Sequence, residues 1–143
     1  TYIDENGEKQ YPFVIHRSSI GCYERTLAML IEKYGGAFPF WICPVQVKVL
    51  SLTDRTADYA KKVADELRLA GIRAEADIRS EKIGYKIREA QLEKIPYMFV
   101  VGDKEAENGT VAVRSRKDGD LGEKNLGEIT AFLVEEDRSK KAK

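Results

Sequence analysis

Residues 45–101 alternate between two hydrophobic periods, and this alternation restricts the chain to few folds. Apolar residues occupy every second position in 45–49 and 72–78, which is the period of a strand with one solvated face. Between these segments, and again from Ile83 to Ala90, they recur at the spacing of an amphipathic helix. Tyr97–Val101 is a continuous apolar run that indicates a buried strand. Two successive β-α-β units imply parallel strands with right-handed crossovers.

The end of the chain adds an antiparallel strand and a last helix. Asn108-Gly109 lies between two apolar segments and predicts a hairpin, with Val111–Arg116 as the partner strand. Asn125 with Glu128 resembles a capping box and predicts a helix. Its inward residues would be Leu126, Ile129, Phe132 and Leu133. The predicted fold class is α/β, a three-layer domain with a mixed, mostly parallel five-stranded (or four-stranded) sheet and flanking helices. The charged tail from Arg138 to Lys143 is expected to fray.

The first 36 residues form a separate pattern. Tyr11–Ile15 predicts one strand, and Ser18 or Ser19 is expected to cap a helix that starts near Gly21 and ends at Gly35-Gly36. The apolar face of that helix would consist of Leu27, Leu30, Ile31 and Tyr34. We predict two units, residues 1–36 and 37–143, joined near the proline- and aromatic-rich stretch 37–44. The start at Thr1 leads us to expect a piece of a longer protein, whose missing part would cover the apolar helix face.

Composition excludes several functional classes. The 24 basic and 24 acidic residues balance, which argues against an indiscriminate DNA-coating protein but not against a local basic patch. Cys22 and Cys43 show no CxxC spacing and suggest free thiols in a reducing cytoplasm. No apolar run approaches the ~20 residues of a membrane helix. There is no GxSxG, P-loop or GxGxxG motif, and His16 is the only histidine, so the residues alone define no active site.

Two clusters suggest binding rather than catalysis. The segment 79–88, RSEKIGYKIR, carries four basic residues against Glu81 near a predicted helix start, where backbone N–H groups also favour anions. Those basic residues are Arg79, Lys82, Lys86 and Arg88. Ser80 would cap this helix, and Tyr85 would stack on a base or pack. The alternative, a solvated basic helix face, is equally compatible with the pattern.

The second cluster pairs an acid with an arginine. Strand alternation places Arg114 on the face opposite to Val111 and Val113, and Glu105 in the preceding turn is expected to reach the same face. A carboxylate accepts hydrogen bonds from base amino groups, and an arginine donates to base acceptors or stacks. The alternative is a surface salt bridge between Glu105 and Arg114, worth at most ~1 kcal/mol.

Three stretches, Pro12–Val47, Ile78–Glu105 and Gly109–Gly122, together resemble one family. They are similar to the C-terminal region of the threonyl-tRNA synthetases, which are class II aminoacyl-tRNA synthetases. The segment Gly21–Arg25, GCYER, resembles motif 3 of the class II catalytic domain, except that Cys22 stands where a serine is usual. The resemblance implies that 1–36 is a remnant of that catalytic domain and that 37–143 is the anticodon-binding domain.

The resemblance also implies roles for individual residues. Arg25 would be the ATP contact of motif 3, and His16 one of three zinc ligands, the other two lying outside this chain. Anticodon-reading positions would be Ser80 (where asparagine is common), Glu105 and Arg114, with Lys82 and Arg88 contacting the RNA nearby. The whole protein would be a cytoplasmic, homodimeric threonine–tRNA ligase that uses ATP, Mg²⁺ and Zn²⁺ to join threonine to tRNA(Thr). The piece alone would be inactive and would bind no cofactor firmly.

Two other functions remain compatible with the residues. One is a free-standing, non-catalytic RNA-binding or regulatory protein that carries an anticodon-binding domain. The other is an unrelated α/β domain, such as a redox or receiver module, although the chain has no CxxC motif and no acidic cluster at its strand ends.

Overall fold

The computed structural model describes residues 1–141, so the last two residues of the predicted tail and of the second predicted unit lie outside it. The first unit begins with a small antiparallel hairpin of β1 (Tyr2–Ile3) and β2 (Lys9–Gln10), which the sequence did not predict. Helix α1 spans Tyr23–Tyr34 and ends at Gly35, whose φ of 55° is left-handed. The predicted helix and its glycine end are confirmed.

Two details of the first unit were predicted wrongly. Residues 11–15 form no strand, because no other strand of the described chain lies beside them to complete a hydrogen-bonded ladder. Phe13 is fully exposed at 101%. The N-cap of α1 is Cys22 rather than Ser18 or Ser19, and its side chain makes no capping hydrogen bond. Helix α1 buries none of its residues, so its apolar face is open to solvent.

From residue 47 the alternating pattern produces the expected elements. Strand β3 (Val47–Ser51) leads through a short 3₁₀ turn, Asp54–Thr56, into α2 (Ala57–Leu69). Strand β4 (Ala74–Asp77), α3 (Ile83–Leu92) and β5 (Tyr97–Val101) follow in order. The apolar face of α2 is buried at four positions, namely Ala60, Val63, Ala64 and Leu67. A second 3₁₀ turn, Phe40–Ile42, lies before β3 and inserts Phe40 into the core.

The predicted tight turn at Asn108-Gly109 is wrong, although the partner strand predicted at Val111–Arg116 forms and pairs antiparallel with β5. A short helix, α4 (Asp103–Asn108), connects β5 to β6 (Thr110–Ser115), and Gly109 ends that helix with a φ of 68°. Glycine after asparagine is favoured in hairpin turns and also at helix C-termini, because both need a left-handed residue. Strand β7 (Gly119–Asn125), absent from the predicted elements, precedes α5 (Leu126–Ser139).

The five-stranded sheet has the order β4-β3-β5-β6-β7. The pairs β3–β4 and β3–β5 are parallel, whereas β5–β6 and β6–β7 are antiparallel, which confirms the mixed α/β class. Helices α2 and α5 pack on one face with the larger apolar cluster, and α3 packs on the other with Leu50, Ile95 and Met98. Of the predicted inward residues of α5, Ile129 and Leu133 are buried, but Phe132 is 52% exposed because it lies at the edge of that interface. None of the described helices is long and apolar enough to cross a bilayer.

The N-terminus of α5 provides a test of local stability. The Asn125 side-chain oxygen accepts from the amides of Gly127 at 2.9 Å and Glu128 at 3.4 Å, so the predicted cap is confirmed. We expect Asn125→Ala to lower the free energy of unfolding by about 1 kcal/mol, measured by urea denaturation. Ser80→Ala is the matched control, because Ser80 was expected to cap a helix and makes no described hydrogen bond. Equal losses in both variants would contradict this assignment.

Candidate nucleic-acid interface

The side of the sheet on which α3 packs is only partly covered by described residues. Its apolar cluster is built from α3, β3, β5 and the residues beside them, and contains no residue of β6 or β7. On β6 the residues of this side, Thr110, Ala112 and Arg114, are half-buried, whereas the alternate residues are buried under α5. Strand β7 is exposed at every position except Leu121. We call this surface of β6 and β7 the open face.

Arg114 lies on the open face and has no described partner. It pairs with Met98 of β5, which belongs to the α3-side cluster, and cross-strand neighbours project to the same side. Within residues 1–141 its guanidinium makes no hydrogen bond and no ion pair. A bulge between Val113 and Arg114 changes the pairing with β7 at this point, and bulges redirect the neighbouring side chain. The donors of Arg114 are therefore available to a ligand.

Glu105 does not form the salt bridge with Arg114 that the sequence left open. One of its carboxylate oxygens accepts from the amide of Gly102 at 2.9 Å, which is the N3-to-N-cap half of a capping box, since glycine has no side chain to complete it. A Cβ at residue 102 would lie 3.0 Å from that oxygen and 3.2 Å from Leu52, so glycine permits this close turn. Glu105 is half-buried, and its other oxygen has no partner among the described residues. The helix cap thus fixes a carboxylate that can still accept one hydrogen bond.

The loop after β4 carries two exposed candidates, Ser80 and Lys82. Contrary to expectation Ser80 does not cap α3, whose N-cap residue is Lys82. Both side chains border a cleft with Leu52 and Thr53, which follow β3. Because β3, β4 and β5 are parallel, this cleft and α4 lie at the same edge of the sheet, where doubly wound folds bind their ligands.

Lys86 was expected on an exposed basic face and is instead buried, with 2% exposure. Its ammonium donates to the Ser51 carbonyl at 2.9 Å, the Ser51 hydroxyl at 3.1 Å and the Asp77 carbonyl at 3.3 Å. The three donors of the ammonium are all used. Lys86 therefore ties the carboxyl ends of β3 and β4 together and is not available to a ligand.

Arg79 is also held internally. Its guanidinium donates to both carboxylate oxygens of the nearly buried Asp77, at 2.9 and 2.6 Å, and contacts Glu89. These hydrogen bonds from Arg79 hold the pKa of Asp77 below its ordinary value, against the opposing effect of burial. Only Lys82 and Arg88 of the predicted basic segment remain exposed and unpaired in the described chain. Arg88 lies on the flank of α3 away from Glu89, since Ile83, Ile87 and Ala90 face the sheet.

His16 and Arg25 are exposed residues of the first unit, and their side chains make no described hydrogen bond or ion pair. Among residues 1–141 no group of three His, Cys, Asp or Glu side chains is close enough to hold a metal ion. Cys22 near Arg25 donates from its thiol to Glu24 at 2.8 Å. One histidine cannot hold a zinc ion firmly, because structural and catalytic sites use at least three protein ligands. The described residues therefore do not form the zinc site that the resemblance implies.

The fold and the interface together define a class of protein. An open sheet face with an available arginine, a fixed carboxylate and flanking cations is typical of α/β modules that read single-stranded RNA through base edges. The chain belongs to the anticodon-binding domain family, which matches residues 42–136, most of the second unit. The redox and receiver alternatives are thereby excluded.

Named relatives agree with this family. The chain is 65% identical over 133 residues to a threonine–tRNA ligase of Clostridium perfringens, an alignment that covers 93% of the chain and 21% of that protein. It is 58% identical over 140 residues to a threonine–tRNA ligase of Syntrophomonas wolfei, covering 98% and 22%. The chain thus spans about a fifth of the length of the curated relatives it matches. The resemblance drawn from the sequence is confirmed.

A solved structure supports the same fold. The RNA-binding domain of threonyl-tRNA synthetase from Cryptosporidium parvum Iowa II superimposes with a TM-score of 0.74 at 35% identity. The superposition covers 78% of this chain and 28% of that one.

Proposed function

We propose that this chain is the anticodon-recognising part of a threonine–tRNA ligase, which joins threonine to tRNA(Thr) with ATP. The observation that carries the proposal is the alignment with named threonine–tRNA ligases over 93% and 98% of the chain. The open face beside Arg114 supports recognition of unstacked bases, because single-stranded loops are read by edge hydrogen bonds and stacking. No observation favours a free-standing regulatory protein.

The proposed roles follow from charge and availability. Arg114 donates to base acceptors, and the free oxygen of Glu105 accepts from a base amino group. Ser80 contributes one hydroxyl at the edge of the cleft. Lys82 and Arg88 neutralise phosphates, since both are exposed and lack a described acidic partner.

The first unit belongs, in this proposal, to the catalytic part of the whole ligase. The 140-residue alignment leaves almost none of the chain unmatched, so it includes the segment around His16 and Arg25. Arg25 would contact ATP, and His16 would supply one zinc ligand beside two from elsewhere in the whole protein. We assign residues 1–36 to that part and 37–143 to anticodon binding. The whole enzyme would be a homodimer that uses Mg²⁺ with ATP and acts in the cytoplasm, where aminoacyl-tRNA is consumed.

Titration with RNA stem-loops tests the proposal. A stem-loop that carries the tRNA(Thr) anticodon should bind more tightly than one with the same stem and a scrambled anticodon, measured at fixed salt because phosphate contacts dominate raw affinity. Each mismatched base is expected to cost about 1–3 kcal/mol. Equal binding of the two RNAs would refute anticodon recognition by this chain.

Salt dependence distinguishes phosphate contacts from base contacts. We expect Lys82→Ala and Arg88→Ala each to reduce the slope of log K against log salt by about 0.7–0.9, with a similar loss of affinity for both stem-loops. Lys61→Ala on α2 is the matched control, because it removes an equal charge from a residue already paired with Asp58. A slope that stays at the wild-type value would remove Lys82 or Arg88 from the interface.

A further inference from the structure

The segment Gly35–Pro44, which lies between α1 and β3, is held through its backbone carbonyls as well as through the buried side chains of Phe40 and Cys43. We call it the linker. Six of its carbonyl oxygens accept hydrogen bonds from four side chains of the second unit. The accepting residues are Gly35, Ala37, Phe38, Phe40, Trp41 and Cys43. A connecting loop normally lies on the surface with its carbonyls hydrated, so this arrangement fixes the linker's path.

The four donors come from four separate connecting segments of the second unit. Arg73 donates to the carbonyls of Cys43 at 2.8 Å and Trp41 at 2.9 Å. Gln46, fully buried, donates to Phe40 at 3.0 Å and to the Asp137 carboxylate of α5 at 2.7 Å. Fixed donors of this kind hold the backbone more firmly than exchangeable water does.

Arg116 occupies the centre of the linker contacts. Its guanidinium donates to the carbonyls of Phe38 at 2.7 Å and Ala37 at 3.4 Å, and also to that of Lys94. The Lys94 ammonium in turn contacts the carbonyl of Gly35, the first residue of the linker and the C-cap of α1. A planar guanidinium can bridge two sites in this way, whereas a lysine offers a single point of donation.

Little else fixes the direction of α1. The helix buries no residue, and its one described aromatic contact is between Tyr34 and Phe38, with ring centroids 6.4 Å apart. The orientation of the first unit therefore depends on the linker and on the side chains that hold it.

We propose that Arg116, supported by Lys94, Arg73 and Gln46, is a positioning residue that holds the first unit at a fixed angle to the open face. Arg116 follows Arg114 by two residues, so the end of β6 carries both the proposed base-reading side chain and the residue that fixes the linker. A further consequence rests on the proposed function. In the whole ligase, a fixed angle between the two units would present the far end of a bound tRNA to the catalytic part. A loose linker would lower the effective concentration of that end.

Distance measurements on this chain test the angle directly. Spin labels are placed on Cys22, which is exposed, and on a cysteine introduced by Lys61→Cys in α2. Cys43 stays unlabelled, because burial shields its thiol and raises its pKa. We expect Arg116→Ala to broaden the pulsed-EPR distance distribution roughly twofold, whereas the matched control Arg138→Ala leaves it unchanged.

The width of the distance distribution decides the proposal. An unchanged width in Arg116→Ala overturns the proposal. If Arg116→Ala does not fold, as judged by circular dichroism, Arg73→Ala takes its place, because it removes two other linker hydrogen bonds. A distance distribution as narrow as that of the wild type in Arg73→Ala would also overturn the proposal.

Kinetics of the whole ligase test the consequence. Arg116→Ala should raise KM for tRNA about tenfold while leaving amino-acid-dependent pyrophosphate exchange and the affinity for the isolated anticodon stem-loop unchanged. A merely structural defect would weaken stem-loop binding as well. Failure of the wild type to bind the stem-loop would refute the proposed function, while the distance result would still decide the role of Arg116.

Discussion

Replacing Lys86 with methionine is expected to lower the free energy of unfolding by about 2–4 kcal/mol, a large part of the stability of a domain this size. Methionine keeps most of the lysine volume, so the change leaves little cavity. It removes three hydrogen bonds and leaves the buried Ser51 carbonyl without its described donor, whereas the Ser51 hydroxyl still donates to the Asp77 carbonyl at 3.2 Å. Unsatisfied buried acceptors cost about 1–3 kcal/mol each before relaxation.

Replacing a buried charge can also stabilise a protein. Replacing every member of a buried ionic group with apolar residues is often neutral or stabilising. Here only the donor is replaced, and the acceptors belong to the ends of two strands, where no substitution can remove the carbonyls. Urea denaturation at pH 7 measures the free energy of unfolding of the wild type and of Lys86→Met. The control is Lys82→Met, at the exposed N-cap of the same helix, which is expected to change that free energy by no more than about 0.5 kcal/mol. A stabilised Lys86→Met would show that burying this ammonium costs more than its hydrogen bonds return.

The hydrogen bonds between Arg79 and the Asp77 carboxylate predict how the free energy of unfolding changes in acid. The folded-state pKa of Asp77 lies below its unfolded value because of hydrogen bonds from Arg79, so its contribution is fully present above the unfolded value of about 4. That contribution is lost as the pH falls through the folded pKa. Asp77→Asn should therefore be less stable than the wild type at pH 7, and the difference should shrink as the pH falls below about 4.

Loss of the Arg114 guanidinium should produce the largest functional effect. We expect Arg114→Ala to weaken binding of the tRNA(Thr) anticodon stem-loop by about 10- to 100-fold, which corresponds to the 1–3 kcal/mol of a bidentate base contact. The same variant should lose much less affinity for the scrambled stem-loop, because a base contact specifies sequence whereas a phosphate contact does not. Fluorescence anisotropy at two salt concentrations measures both quantities.

Two conservative variants sharpen this prediction. Arg114→Lys keeps the charge but loses the planar fork, so discrimination should fall while the salt slope stays unchanged. Glu105→Gln keeps an oxygen for the Gly102 amide but removes the charge, so it tests base recognition without uncapping α4 as alanine would. If Arg114→Lys binds both stem-loops as the wild type does, Arg114 acts as a surface charge only.

The sequence predicted the parallel half of the sheet well because its strands and helices carry regular apolar periods that become buried in the two clusters. Apolar residues recur every two positions in the strands and every three to four positions in the helices of this half, because few residue types other than apolar ones fit buried positions. The last strand, β7, was missed because Gly119–Asn125 is exposed, rich in glycine and charge, and stabilised by pairing with β6 rather than by its own pattern.

The candidate site was only partly predictable. Alternation placed Arg114 on the correct face, since it depends on the strand alone. Lys86 was misassigned, although its position three residues after Ile83 and four before Ala90 lies on the apolar stripe of α3, and that spacing indicated burial. The capping role of Glu105 and the internal pairing of Arg79 could not be predicted, because both depend on chain segments brought together only by folding.

The buried ammonium of Lys86 limits the donors that this edge of the sheet offers to an anionic ligand. In dinucleotide-binding sheets of related topology, the carboxyl ends of neighbouring parallel strands form a bed for phosphates. Here the space between the ends of β3 and β4 is filled from within by a cation that is already fully bonded. A phosphate at this edge therefore receives no free donor from Lys86, and the exposed polar side chains that border the cleft there are Ser80 and Lys82.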